Sequence, residues 1–414
     1  MIRKEVVNGL RIIQEDFPFL PSAALGIIFN FGSRDEDKEN NGMTHFIEHT
    51  LFKGTKKKSA REISLAAESL GAHLDGFTAR EATGLYARFL KEKTEEVLEL
   101  LSEVAFSPVF PEEEIEKEKR VILQEIREAE EDPEDKVFSI LFETLFPDHP
   151  LGRPITGISE TVKKFSREKI LSYFGSNYRK ERIILVLVGD KTFCQKEWEI
   201  GNGDSKADIS FRKREKPSFP ERRVRVERRK ELESVHVVVA QPVLIHPQQR
   251  YALSVLNTAF GGALSSPLFQ RLREEEGLVY QISSFIDFYS DCVLFGIYFV
   301  TNQKDLPQAL KITSEVRERY YRDGFSPKEM AVALNLTKSS IILSQESPLH
   351  RLFALMRSEL LFGETLTLGE ILNNYEKVEL AEVNFLVKEV LTPPLVIAAV
   401  GNIREKELEP FLEK

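Results

Sequence analysis

An α+β domain written twice is the fold this 414-residue sequence predicts, each copy a mostly antiparallel sheet with helices packed on one face. Three observations carry that expectation. The run IILVLVGD at residues 183–190 returns as LVIAAVGN at 395–402, with the glycines Gly189 and Gly401 212 residues apart (401 − 189). A helical segment of similar length precedes each run, REKILSYFGSNY in the first case and LAEVNFLVKEVL in the second. Each half also opens on strand-like alternation, GLRII at 9–13 and RVRVE at 223–227, and then mixes strands with helices without strict βαβ order.

The boundary falls in GNGDSKADISFRKREKPSFP, residues 201–220, where Gly, Ser, Pro and charge replace periodic apolar residues. That divides the chain into an N-terminal domain over 1–200 and a C-terminal repeat over 221–414. Within the first, residues 23–31 read as a strand and 43–52 as a helix. Residues 76–90 read as a strand pair or one long strand, and 111–131 as one long helix.

Composition narrows the function classes. Hydrophobic residues at 42% and charged residues at 30% exclude a disordered or collagen-like chain. No apolar run approaches the roughly 18 residues a membrane span needs, and the opening MIRKEVVNGLRIIQED carries no apolar signal segment. Cys194 and Cys292 supply neither a disulfide framework nor a thiolate metal site, which points to a reducing cytoplasm. With 57 Lys+Arg against 66 Asp+Glu the net charge is −9, against general nucleic-acid or anionic-membrane binding.

The chemistry is written in GMTHFIEHTLFKG. His45 and His49 stand four apart, so on a helix both imidazoles share a face and can reach one metal. Glu48 lies on nearly the same side, in reach of a water at that metal, while Met43, Ile47 and Leu51 mark the core-facing side. The competing reading is an amphipathic helix with a solvated His/Glu face. Zinc needs a third protein ligand, and the helix PEEEIEKEKRVILQEIREAEED offers one. Glu118 and Glu125 fall on its apolar stripe with Ile115, Ile122 and Ala129, whereas Glu113, Glu116 and Glu130 lie off it. A carboxylate on a core-facing stripe is costly unless it is paired or binds metal. A helix so rich in charge that acids fall anywhere is the alternative.

HFIEH followed by Glu125, with Glu118 seven residues earlier, resembles the pitrilysin/insulinase/mitochondrial-processing-peptidase family of inverted-motif zinc peptidases. The flanks NGLRII, FGSRDE, HTLFKGT and HPLGRPITG agree, as does the Asp132-Pro133 step. In the second half, GGALSSPLFQRLREEEGLVYQISS is similar to the segment where the family keeps an Arg and a Tyr seven apart, here Arg273 and Tyr280. The length resembles the small two-domain branch, whose members pair into a four-domain clamshell. The resemblance implies zinc (Zn2+, one per chain) on His45, His49 and Glu125, with Glu48 as general base and Glu118 orienting a ligand. It implies Arg273 and Tyr280 on the substrate backbone and developing oxyanion. Taken singly, Arg273 could only complement a helix dipole and Tyr280 could be an ordinary strand aromatic.

Two positions depart from the family. Pro267 replaces an Arg after the Ser pair, where it suits a first helical position. Asp75 replaces an Asn beside the substrate-binding strand, exchanging a donor for an anion. His73, His149, His236, His246 and His350 show no ligand role. The counterpart of the metal helix, RYALSVLNTAFGGALSS, has neither His nor Glu, so the repeat keeps the fold without the metal. The expectation is a cytoplasmic zinc endopeptidase acting on peptides or unfolded segments, a homodimer whose active sites are completed in trans. Its rivals are a non-catalytic scaffold or assembly subunit with the same fold, and a peptide carrier without turnover.

Overall fold

The computed structural model describes residues 2–7, 9–189, 214–392 and 396–412. Cys194 and residues 201–213 of the expected linker lie outside the described residues. The first half carries β1 (Ile2–Val7), β2 (Leu10–Asp16), β3 (Ser22–Phe29), α1 (Met43–Leu51), α2 (Ala60–Ser69), β4 (His73–Thr78) and β5 (Thr83–Leu90). It continues with α3 (Thr94–Phe106), α4 (Glu112–Glu131), α5 (Pro133–Leu145), α6 (Ser159–Val162), α7 (Arg167–Asn177) and β6 (Ile183–Gly189). The second half carries β7 (Arg223–Arg228), β8 (Ser234–Val243), α8 (Arg250–Asn257), α9 (Pro267–Phe269), β9 (Val279–Phe288) and β10 (Val293–Asn302). Helices α10 (Leu306–Asp323), α11 (Pro327–Ser344), α12 (Pro348–Phe362), α13 (Leu368–Glu376) and α14 (Leu380–Val390) follow, and β11 (Val396–Gly401) closes the sheet.

The two sheets are ordered β1-β2-β6-β3-β5-β4 and β7-β11-β8-β10-β9. Among the described residues only β2/β6 and β7/β11 pair in parallel, so both sheets are mostly antiparallel, as the sequence predicts. The registers repeat as well. Leu185 pairs with Ile12 and Ile27, Ile27 with Leu85, and Leu85 with Gly76. Adding the same 212 residues to Leu185 and Ile12 gives Ile397 and Val224. Ile397 pairs with Val224 and Val239, Val239 with Ile297, and Ile297 with Ser284. Strand β1 is the one addition to this scheme, an extra antiparallel strand beside β2.

Two compact units emerge, and neither is a continuous stretch of sequence. One contains residues 1–127, 153–215 and 344–367, the other 128–152, 216–343 and 368–414. Each half therefore gives a helix to the other unit's sheet, a feature that a division at one linker does not contain. In the first unit Leu25, Ile27 and Leu185 face the core under α1 and α3, while Ala24, Ile28 and Val186 face Leu352 and Leu355 of α12. In the second unit Val237, Ile397 and Ala399 face one core, while Val238, Ala398 and Val400 face Val137 and Leu141 of α5. Burial on both faces explains why β6 and β11 are uninterrupted apolar runs instead of alternating ones.

Local signals start and hold these helices. Asp132 caps α5, its carboxylate accepting from the amides of Glu134 and Asp135, with Pro133 in the first turn. On the other exchanged helix, Arg351 is buried in an ion pair with Glu15, and Glu359 bridges Arg11 and Lys4, both at 2.7 Å. Among the described residues no helix is long and apolar enough to cross a membrane.

Candidate metal centre

Helix α1 buries every residue except His45, Glu48 and His49, so its one open face carries the motif. Its start is held from behind. Gly42 has φ 90°, and a Cβ there would lie 2.6 Å from the Thr156 carbonyl, so the backbone approach requires glycine. Glu36 supplies the cap that Gly42 lacks. Its two carboxylate oxygens accept from the amides of Gly42 and Thr44, each at 2.7 Å. Burial pushes the Glu36 carboxyl up to about 7, against the lowering effect of those amides. Arg153 donates to the Glu36 carbonyl at 3.0 Å and Asn41 to the Pro154 carbonyl at 3.0 Å. The segments FGSRDE and HPLGRPITG thus meet where the metal helix begins.

Helix α4 buries Ile115, Glu118, Ile122 and Ile126 and brings Glu118 and Glu125 against α1. Glu125 Oε2 lies 3.5 Å from His49 Nε2 and 3.9 Å from His45 Nε2. One ligand atom from each of His45, His49 and Glu125 falls within 4.8 Å of the others, the only such group among the described residues. Glu118 Oε2 lies 3.0 Å from His49 Nδ1. A carboxylate only accepts, so that bond places the proton on Nδ1 and turns the Nε2 lone pair toward Glu125. A lone pair and a carboxylate at 3.5 Å repel unless a cation lies between them. Burial, reinforced by His49, drives His45 down to about 4, so its imidazole is neutral and able to ligate at neutral pH. Two imidazoles and one carboxylate with an open fourth position suit zinc.

Glu48 lies beside this set. Its carboxyl is raised, chiefly by burial, while a hydrogen bond from Thr78 and the neighbouring His49 act in the opposite direction. Its side chain rests on strand β4, where a Cβ on Gly76 would fall 2.8 Å from Glu48 Cγ. Asp75, next along the same strand, is exposed and accepts from the Tyr86 hydroxyl at 3.0 Å.

The structure therefore brings together His45, Glu48, His49, Glu118 and Glu125 in the first unit. Arg273 and Tyr280 belong to the second. Arg273 is exposed near the end of a π-helical turn, Gln270–Glu275, that continues α9, and its guanidinium lies 5.8 Å from the Phe269 ring. The exposed Tyr280 hydroxyl donates to Asn302 Oδ1 at 2.9 Å. Pro267 opens α9 as expected. His149 is buried and accepts from the Leu151 amide, a structural role.

Four residues of this corner escape the sequence reading: Glu36, Lys53, Gly76 and Thr78. Glu36 and Lys53 sit inside the flanks FGSRDE and HTLFKGT, whose contacts are set by tertiary packing. No local periodicity points to Gly76 or Thr78.

Two imidazoles and a carboxylate within reach of one ion, with the half-buried Glu48 beside them, sit on a two-fold repeated α+β scaffold, a donor set that suits a metallopeptidase. The model of insulinase, peptidase family M16, matches residues 11–158, and that of the peptidase M16 inactive domain matches 164–336. The uncharacterized zinc protease YmxG of Bacillus subtilis is 35% identical over 95% of this chain and 96% of its own. An uncharacterized zinc protease of Streptomyces coelicolor is 31% identical over 98% of this chain and 90% of its own. A solved protease from Helicobacter pylori superposes with a TM-score of 0.87 at 19% identity, covering 97% of this chain and 99% of its own. The chain belongs to the M16 peptidase family.

Proposed function

We propose that the protein is a zinc-dependent endopeptidase that hydrolyses peptides or unfolded polypeptide segments, with Glu48 as the general base. The observation that carries this reading is the convergence of His45, His49 and Glu125 within 4.8 Å, with Glu48 on the same open helix face. Zinc bound there supplies Lewis acidity to the scissile carbonyl and to the attacking water. Glu48 takes the proton of that water and passes it to the leaving amine, a shuttle that suits a carboxyl raised by burial. Glu118 holds the His49 ring by its Nδ1, and Thr78 with the bare Gly76 fixes where the base sits. Tyr280, with Arg273, donates to the developing oxyanion, a contribution of order 3 kcal/mol for one good donor.

Glu48→Gln tests the chemistry. The variant should keep its fold and zinc yet lose hydrolysis by roughly 100-fold or more, because an amide cannot accept the proton. Near-normal turnover would place the base elsewhere or favour the scaffold reading.

The metal set and the Arg/Tyr pair lie on different units. We propose a two-fold homodimer in which each chain's Arg273 and Tyr280 complete the partner's site, the arrangement the family resemblance implies. Inactive Glu48→Gln and Tyr280→Phe chains, mixed under subunit exchange, should regain partial activity. A mixture as inactive as its parents despite exchange would show that each chain completes its own site.

A further inference from the structure

We infer that Lys53 is a positioning residue for the metal centre, holding Glu118 so that its second oxygen stays on the His49 ring. This rests on the reading of His49 as a zinc ligand. Lys53 lies in the turn after α1, four residues beyond His49, and reaches the same glutamate that meets the His49 ring. Its Nζ is 2.7 Å from Glu118 Oε1, while Glu118 Oε2 is 3.0 Å from His49 Nδ1. Each carboxylate oxygen therefore has its own partner, one from the last turn of α1 and one from the turn that follows it.

The charge arrangement makes this more than a surface ion pair. The Glu118 side chain is 8% exposed, so a carboxylate there has given up most of its hydration and needs compensation from neighbouring groups. The His49 ring must contribute its Nδ1 hydrogen and still keep the Nε2 lone pair for the metal. It can do both only as a neutral ring, and a neutral ring brings no countercharge. Lys53 brings it. Its side chain is 31% exposed, enough to keep the ammonium partly hydrated while its Nζ touches Glu118. Without the ammonium, Oε1 loses its partner and the carboxylate is free to turn about its stem. The Nδ1 bond that aims His49 Nε2 toward Glu125 then loosens.

Zinc affinity measured by competition with a chromophoric chelator tests the inference without reference to turnover. Lys53→Met should bind zinc roughly 10–100-fold more weakly than the parent, with the same stoichiometry at saturation. Lys53→Arg, which restores a cation, should recover most of the loss. In a Glu118→Gln background, Lys53→Met should have little further effect, since the residue it positions is already altered. Unfolding of the metal-free proteins checks that the fold survives, and Lys53→Gln replaces the Met variant should that one not fold. Zinc that requires His45 and His49 but is held as tightly without Lys53 would overturn this inference alone. So would an equal loss in both backgrounds. Zinc indifferent to the two histidines would instead overturn the proposed site.

Discussion

The corner where the first helix meets the edge strand is built in opposite ways in the two halves. Following the matched registers outward from Leu185 and Ile397 leads to Gly76 on β4 and Ser284 on β9, the same place in each sheet. In the first unit the glycine is on the strand, and the helix fills the space with Glu48. In the second the glycine is on the helix side. Gly261 packs so closely that a Cβ would lie 2.7 Å from Ser284 Oγ, and the chain there winds into a π-turn, Thr258–Gly262. Ser284 spends its hydroxyl on the Asn257 carbonyl at 3.1 Å. One scaffold thus yields a corner that places an acid on the strand or one closed by a serine, according to which element carries the small residue.

The exchanged helices differ in a similar way. The first sheet holds α12 through buried charge, with Arg351 on Glu15 and Glu359 on Arg11. Both helices also rest an aromatic ring on their sheet, Phe353 of α12 5.5 Å from Phe77 and 5.1 Å from Tyr86, Phe138 of α5 5.4 Å from Phe285 and 5.5 Å from Tyr298. The ion pair of α5, Lys136 with Glu227 at 3.3 Å, is far less buried. The largest effect we expect is therefore from Arg351→Leu. It leaves Glu15 buried without its guanidinium and should cost about 3–5 kcal/mol, read by denaturant unfolding. Replacing Glu15 by Leu as well should recover much of the loss. A double variant as unstable as the single would mean that packing, not charge, locks α12.

Exchanging the corner residues comes next. Gly76→Ser puts the second unit's residue into the first, drives a Cβ toward Glu48 Cγ, and should lower turnover on the order of 100-fold at unchanged zinc content. Full activity in this variant would break the proposed equivalence between room on the strand and reactivity. The reverse change, Ser284→Gly, removes one hydrogen bond and adds backbone freedom. It should cost about 1 kcal/mol of stability and leave zinc untouched.

Glu36 gives a pH-dependent test of how the metal helix is anchored. Its folded pKa, about 7, lies above the ordinary 4.5, so the folded state binds the extra proton between these values. The contribution is thus fully present below about 4.5 and is lost as pH rises through about 7, to the extent of up to about 3 kcal/mol. Parent and Glu36→Gln unfolding curves should converge or cross over that window. A constant difference from pH 4 to 8 would show that the amides of Gly42 and Thr44 hold Glu36 charged throughout.

Much of this was written locally. The period of α1 separates Met43, Ile47 and Leu51 from His45, Glu48 and His49, and the stripe of α4 singles out Glu118 and Glu125. What was not legible depends on distant partners. The helix exchange left only an indirect trace, the unbroken apolar runs of β6 and β11, because nothing in Pro348–Phe362 says which sheet it covers. Glu36, Lys53 and Gly76 act through residues far along the chain or on another element, and no helical or strand period marks them.

On this reading one half of the chain holds metal and its repeat does not. Metal analysis of the purified protein beside the His45→Ala, His49→Ala double variant tests it most directly. We predict about one zinc per parent chain and essentially none in the variant, with the fold retained. Two zincs per chain, or zinc undiminished without the two histidines, would contradict it.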